Sequence, residues 1–561
     1  MRRATTTILA MTTVLWACGE RPCEDTLTCE TNSGGAGGTV TTGGSSTGTT
    51  TGMPGGGGAG GGPKALGEDC ADGAECSSGY CADDLCCDAA CDGGCASCAI
   101  TGNEGTCTPF EAGVNPGMIC GATSSCNGSG SCSGAHIWSR SFGGPGDDRI
   151  VGIEPTPDGG YILAGNFAQS IDFGSGPLTG TSDIFVAKLD AMGNEVWSKR
   201  FGDAEYDEVG DVDVASDGTI LLTGKFVGGI SFGVTTLSTP EEAIFLAKLN
   251  ADGDETWAKG FSSTSTTSST RGRNVAVDPA TGDVHLSGTY MGSLDLGGAT
   301  LPNYNTVSGA LFMARFSSNG AYEWSDSFGS NGGGVSVVRS TLRPDGSFVT
   351  ACNYYGTLNF GGSTFNGGIA VAAFSANGTY LWSDDHDPPS DIGLGSLATT
   401  AAGHLTMTGR FEGAVSFGGG TLMAPSPSDY DLYVVRFDAS GQHAWSISNG
   451  GVGNDDEGIA ASEGPLGLFV AGRFGSTIDI DGATLTSAGV DDALLLGLDQ
   501  GGGVAWGVRA GDAGEQEATV VAQSATGLIV GGRFTSGITF GDGPTLSSSG
   551  GRDVFVAELA P

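Results

Sequence analysis

Asp183-Ile184-Phe185-Val186-Ala187-Lys188-Leu189-Asp190, followed at once by Gly193-Asn194-Glu195-Val196-Trp197, is the stretch that decides the fold. A short apolar run closed by Asp and Gly turn residues calls for strands of about six residues rather than helices. Just upstream, Asp158-Gly159-Gly160, Tyr161 to Gly165, Asn166-Phe167 and Ile171-Asp172-Phe173-Gly174 complete a unit that recurs along the chain.

Seven tryptophans mark the recurrence. Trp138, Trp197, Trp257, Trp324, Trp382, Trp445 and Trp506 stand 59, 60, 67, 58, 63 and 61 residues apart. A fixed period in this range means a repeat architecture. Four strands per unit and seven units predict an all-β, seven-bladed β-propeller of four-stranded blades over residues 135–561. The tryptophan strand near His136 has no preceding body, and the body ending in Asp553-Val554-Phe555-Val556-Ala557-Glu558-Leu559 has no following tryptophan strand. One blade is therefore expected to combine both ends, an N/C-terminal strand closure that protects the ring's edges.

Phe142-Gly143-Gly144 with Asp147 and Asp148, the Asp-Gly turns, and Asp183 to Lys188 resemble bacterial β-propeller repeats (SBBP-type) of surface lipoproteins, and Phe201-Gly202 and Phe328-Gly329 continue the pattern. The resemblance covers about three quarters of the chain and implies the fold, with no single activity.

The remaining sequence is organised quite differently. Arg2 and Arg3 precede an apolar run of about a dozen residues, too short for a membrane span and suited to a signal peptide over residues 1–17. It ends in Leu15-Trp16-Ala17-Cys18, which resembles a bacterial lipobox and implies lipidation of Cys18. Gly19 after it, by the same resemblance, implies the outer membrane. Residues 18–66 hold the lipidated N-terminus and a Gly/Ser/Thr-rich linker whose reach should be roughly 30 Å. Residues 67–134 form a cysteine-rich module: Cys70, Cys76, Cys81, Cys86, Cys87, Cys91, Cys95, Cys98, Cys107, Cys120, Cys126 and Cys132. In an exported chain this density reads as six disulfides of open connectivity, with zinc at Cys95-Ala96-Ser97-Cys98 the alternative. Cys23 and Cys29 make a further candidate pair, and Cys352 is left over. The module resembles cysteine-rich segments of myxobacteria-like surface proteins.

With 561 residues and a net charge of −40, the chain should repel nucleic acid and anionic lipid headgroups. Gly229-Ile230-Ser231-Phe232-Gly233 matches a hydrolase elbow, but the equivalent repeat positions hold Asp172, Asp295, Asn359, Ser416, Asp479 and Thr539, so Ser231 reads as a turn residue. The five histidines are scattered without a metal motif. Cys352 stands where the other units have glycine and reads as a small buried residue. Asn250-Ala251-Asp252-Gly253-Asp254-Glu255 looks like a fragment of a calcium loop but reads as a hairpin turn.

Acidic clusters follow several tryptophan strands: Asp147 and Asp148; Asp207 and Glu208; Asp455, Asp456 and Glu457; Glu515 and Glu517. If those strands are outermost, the clusters ring the central opening on one face. They form a possible cation or ligand face, with Ca2+ the candidate ion and no other cofactor expected. The competing reading pairs them with Lys225, Arg410, Arg473 and Arg533 between blades. Loops such as residues 168–182 are expected to enlarge a face.

The function expected from these features is non-enzymatic: a lipid-anchored, cell-surface, monomeric propeller presenting a face to an extracellular or envelope protein or glycan. An outer-membrane assembly scaffold is the alternative. A quinoprotein-like dehydrogenase, hydrolase or lyase is the third reading. The chain offers no catalytic residue set.

Overall fold

The computed structural model describes residues 63–91, 95–110, 120, 126–127, 132–265, 270–304, 309–386, 391–451, 455–480 and 483–561. The signal peptide, Cys18, Cys23, Cys29 and nearly all of the linker lie outside the described residues.

The twelve module cysteines are all paired, as Cys70–Cys81, Cys76–Cys86, Cys87–Cys98, Cys91–Cys107, Cys95–Cys126 and Cys120–Cys132. Cys95 and Cys98 thus belong to different bridges. The module needs them: its apolar cluster consists of the cystines Cys70, Cys76 and Cys86, with Cys81 packed against it.

The rest is a seven-bladed β-propeller. Blade 1 runs Arg149–Pro155, Tyr161–Ile171, Leu178–Leu189 and Glu195–Phe201, each strand antiparallel to the next. Blade 7 is Gln516–Gln523, Leu528–Phe534 and Asp553–Leu559, completed by His136–Phe142 from the other end of the chain, with Val554 opposite Phe142 and Leu559 opposite His136. The first strands of blades 2 to 6 are Glu208–Val214, Arg271–Val277, Asn331–Leu342, Ile392–Thr399 and Glu457–Gly464, and the seven first strands adjoin in a closed cycle around the axis, so the tryptophan strands are outermost.

Alternation explains the packing. In blade 1, Ile162, Ala164, Ile184 and Val186 join Val212, Leu222 and Phe245 of blade 2, while Leu163, Phe185 and Ala187 face blade 7. Each blade is a sheet with both faces apolar, and each core lies between two blades.

Two sequence expectations are corrected. Strands of blades 1 and 2 reach 11 to 14 residues, because the second and third strands stay paired beyond the blade. Residues 168–182 are accordingly not a free loop. Ile171 pairs with Leu178, and Phe173 folds back to within 4.8 Å of the Phe142 ring and 5.2 Å of Phe185. Phe232, Phe360 and Phe417 are buried at the same place in their blades, so the repeated aromatic anchors this arm.

The first strand of every blade but blade 4 also carries a β-bulge in register, for example between Ile150 and Gly152, Val209 and Asp211, and Gly272 and Asn274. A bulge bends the strand and re-aims a side chain. It explains the glycine at the facing position: a β-carbon on Gly165 or Gly224 would lie 2.1 or 2.0 Å from the carbonyl oxygen of Arg149 or Glu208 and against Phe185 or Phe245. Cys352 breaks this rule because blade 4 does. Its register shifts instead between Val335 and Val338, and Ala370 replaces the aromatic neighbour.

Candidate functional site

The acidic clusters do lie on the links that carry the chain from one blade's outermost strand to the next blade's first strand. Strand alternation then separates neighbours that look like a unit in sequence. Asp148, Asp207 and Asp456 are buried and hold the link to the next hairpin. Asp148 accepts backbone hydrogen bonds from Gly144 (3.1 Å) and Ala168 (3.2 Å), Asp207 from Asp203 (3.0 Å) and Val227 (3.4 Å), and Asp456 from Gly451 (3.0 Å) and Gly475 (3.1 Å). Gln516 takes this place in blade 7 and accepts from Asp512 N–H (3.3 Å). Burial pushes each of the three carboxyls up to about 7.

The next residue along, Glu208, Glu457 or Glu517, points to the channel mouth and meets cations there. Glu208 lies 2.5 Å from Arg149, 3.5 Å from Lys225 and 3.9 Å from Arg271. Burial works against its charge, but the three cations outweigh burial and hold its carboxyl below the ordinary range. Glu457 lies 3.4 Å from both Arg410 and Arg473, and Glu517 lies 2.6 Å from Arg533 and 3.8 Å from Arg473. Glu515 is 2.6 Å from Arg552, whose backbone N–H donates to Asp147 at 3.0 Å. Asp455 stands at 3.5 Å from the backbone N–H of Tyr430. The mouth thus carries ion pairs that join blades 1 to 2, 2 to 3, 5 to 6 and 6 to 7, with others inside single blades.

Below the mouth the channel widens into a cavity of about 340 Å³ lined by first strands. Its walls differ. Blades 1 to 4 contribute Glu154, Asp211, Arg273 and Arg339; blades 6 and 7 contribute Ile459, Ala460 and Val520. Arg273 enters because it is the bulged residue of its strand, between Gly272 and Asn274. Glu154 and Asp211 also line a second cavity of about 430 Å³ toward the other face, with Asp213 and Arg343. Asp211 and Asp213 reach across to blade 3 and accept the backbone N–H groups of Val275 (2.9 Å) and Val277 (2.6 Å). Burial raises all three channel carboxyls, Asp211 to about 7, and for Glu154 the charges of Asp213 and Asp211 add to it.

The channel residues were not legible as a site. Asp211 and Arg339 share one repeat position, but Glu154 stands at another and Arg273 is the bulged residue of its strand, so no single column of the repeat announces them and only the fold brings them together.

Other candidates resolve simply. Ser231 ends a strand that hairpins to Thr236, without a helix after it. Asn250 Oδ1 accepts the N–H groups of Asp252 (3.0 Å) and Asp254 (2.9 Å), which makes the calcium-like segment a turn. Cys352 is fully buried and burial pushes its thiol up to about 12. His285 stacks on Phe348 and His386 on Phe437, and burial lowers both to about 4. The histidines are not all unrelated, however: His136 and His443 open equivalent outermost strands, and each ring contacts the serine three residues on, Ser139 at 3.0 Å and Ser446 at 3.1 Å.

No protein-family profile matches the chain, and no curated protein does. Among solved structures, it is similar to an ulvan lyase of polysaccharide lyase family PL25 (11% identity, 74% of this chain and 97% of that one, TM-score 0.40). A Dyadobacter fermentans protein of unknown function matches at 9% identity over 76% and 98% of the two chains, with a TM-score of 0.34. The NanB sialidase of Streptococcus pneumoniae matches at 9% identity over 76% and 69%, with a TM-score of 0.32.

Proposed function

We propose that this chain is a non-enzymatic, lipid-anchored surface protein whose propeller offers the channel mouth to an envelope or extracellular protein or glycan. The observation that carries the reading is the cavity of about 340 Å³ beneath the mouth, where Glu154, Asp211, Arg273 and Arg339 converge among apolar residues such as Val151 and Ile459. Concave sites with a few convergent polar groups on an apolar background are the usual form of a binding site. Six disulfides support an oxidising, extracytoplasmic setting. The anchor rests on Cys18 and its preceding apolar run, and the outer membrane on Gly19. In this reading the propeller acts as a monomer without a cofactor.

The test is capture from cell-surface extract by the immobilised chain, paired with protease shaving of intact cells. A specific partner and loss of the protein on shaving support the reading. Resistance to shaving would instead favour a periplasmic assembly scaffold.

One observation favours a second reading, an enzyme. Glu154 and Asp211 are held protonated to unusually high pH and share the cavity with Arg273 and Arg339, as a general acid beside an anion clamp would. Release of new reducing ends from an acidic polysaccharide, abolished by Glu154→Gln, would establish it.

A further inference from the structure

Most basic side chains around the mouth already have a carboxylate. Arg149 is held by Glu208, Arg473 by Asp491 at 2.8 Å, Arg533 by Glu517 and Arg552 by Glu515. Arg273 and Arg339, inside the cavity, differ from these: among the described residues neither takes part in a salt bridge. Arg273 Nε is buried without a hydrogen-bond partner. Arg339 donates Nε to the carbonyl of Gly395 at 2.6 Å and Nη1 to that of Val338 at 3.1 Å, which fixes its plane without neutralising it.

Both guanidinium groups stand against electrostatics. Burial lowers Arg273 to about 10, and the charges of Arg271 and Arg339 add to the effect. Burial lowers Arg339 as well, while the nearby Asp211 and Glu457 charges oppose the shift without pairing with it. A partly desolvated cation among other cations is costly unless an anion joins it. Asp211 is a poor candidate, since it is engaged by Val275 N–H and burial keeps its proton on to about pH 7.

We infer that Arg273 and Arg339 form an oxyanion site within the cavity, taking the carboxylate or sulfate of a small molecule or of an acidic sugar in a glycan. The inference rests on the reading of the channel mouth as the binding face and names the chemistry that face would recognise. Guanidinium presents two parallel donors that match carboxylate and sulfate oxygens. The net charge of −40 does not prevent this, because at physiological salt the Debye length of about 8 Å leaves the local arginines dominant inside the cavity. Ile459, which also lines the cavity, would pack against the ligand's body.

The experiment is calorimetric titration of the full chain with sodium glucuronate, sodium sulfate and neutral glucose at constant ionic strength. The expected result is saturable binding of at least one anion, none of glucose, and a loss of tenfold or more with Arg273→Gln or Arg339→Gln. Arg140→Gln, on the outermost strand His136–Phe142 and away from the mouth and the cavity lining, should change affinity less than twofold. A thermal melt of each variant confirms that it is folded. Tighter binding of a uronate-containing oligosaccharide than of glucuronate assigns the anion to a glycan, and equal binding assigns it to a small molecule. Failure of both anions to bind the folded chain, or binding that both glutamine variants retain, overturns the proposal. If surface extract still yields a partner in that case, the binding-face reading survives; if it does not, both fall.

Discussion

Gly134 packs against Trp506, whose ring atoms Cε3 and Cζ3 would lie 3.3 Å from a β-carbon placed on the glycine. The contact repeats around the ring: Trp138 lies on Gly193, Trp197 on Gly253, Trp257 on Gly320, Trp324 on Gly378, Trp382 on Gly441 and Trp445 on Gly502. Each glycine has positive φ and sits in or beside the turn before the next blade's outermost strand. The indole N–H of Trp138, Trp324 and Trp445 donates to a carbonyl of that turn at 3.1 Å. At Gly134 the turn is cut open, and hydrogen bonds from Gly134 to Ala560 and from Ala560 to Ala135, each 2.8 Å, replace the missing link.

Gly134→Ala should therefore cost about 1–3 kcal/mol, since a side chain at φ +72° is strained and its β-carbon would come within 2.6 Å of Val508 Cγ2. Gly159→Ala, at φ +85° with open space around it, should cost no more than about 1–2 kcal/mol. Denaturant melts of the two variants check the ordering.

Cys352 and Ala370 should behave as a coupled pair. Ala370→Phe alone overpacks blade 4 and should destabilise by about 1–3 kcal/mol. Combined with Cys352→Gly, which restores the residue pair of the other blades, part of that loss should return in a double-mutant cycle. Additive effects would show that the two do not share space.

The buried carboxyls give a pH dependence of unusual sign. Asp148, Asp207, Asp211, Asp431 and Asp456 each rise to about 7 when folded, mainly through burial. The folded state then binds more protons than the unfolded one, so this stability is present below the unfolded value near ~4 and is lost as pH rises through 7. The melting point should be higher at pH 5 than at pH 8. Asp431 is the sharpest probe. Asp183, Asp492 and Asp553 each accept an N–H from their own arm, from Thr181, Ala488 and Ser549, but four residues before Asp431 stands Pro427, which has none, and among the described residues both buried Asp431 oxygens have no partner. Asp431→Asn should raise the midpoint at pH 8 and leave it nearly unchanged at pH 5.

Calcium tests the mouth carboxylates directly. Glu208, Glu457 and Glu517 are each engaged by at least two cations, with Arg473 shared between Glu457 at 3.4 Å and Glu517 at 3.8 Å. Melts with millimolar calcium and with chelator should coincide. A concentration-dependent rise with calcium would make this face an ion site after all.

The tryptophan period, the Asp-Gly turns and the unmatched terminal strands made the ring and its closure readable, because each reflects a local rule repeated seven times. The arms at Phe173 and its equivalents read as loops in the sequence, because Ile171-Asp172-Phe173-Gly174 has turn composition and its burial depends on Phe142 of the outermost strand of the preceding blade. The acidic clusters lie on the links between blades, but adjacency in sequence conceals that Asp207 turns inward to the link while Glu208 turns to the channel. Arg273 was beyond reach altogether, since only a bulge aims it, and no local residue pattern announces the bulge.

The most direct test of the binding face is hydrogen exchange of the full chain with and without the partner fraction eluted from it. The account predicts slowed exchange at the mouth and upper cavity, in the peptides around Arg149, Glu208, Arg273 and Glu457. Protection confined to the outermost tryptophan strands or to the opposite face, with the mouth unchanged, would contradict it.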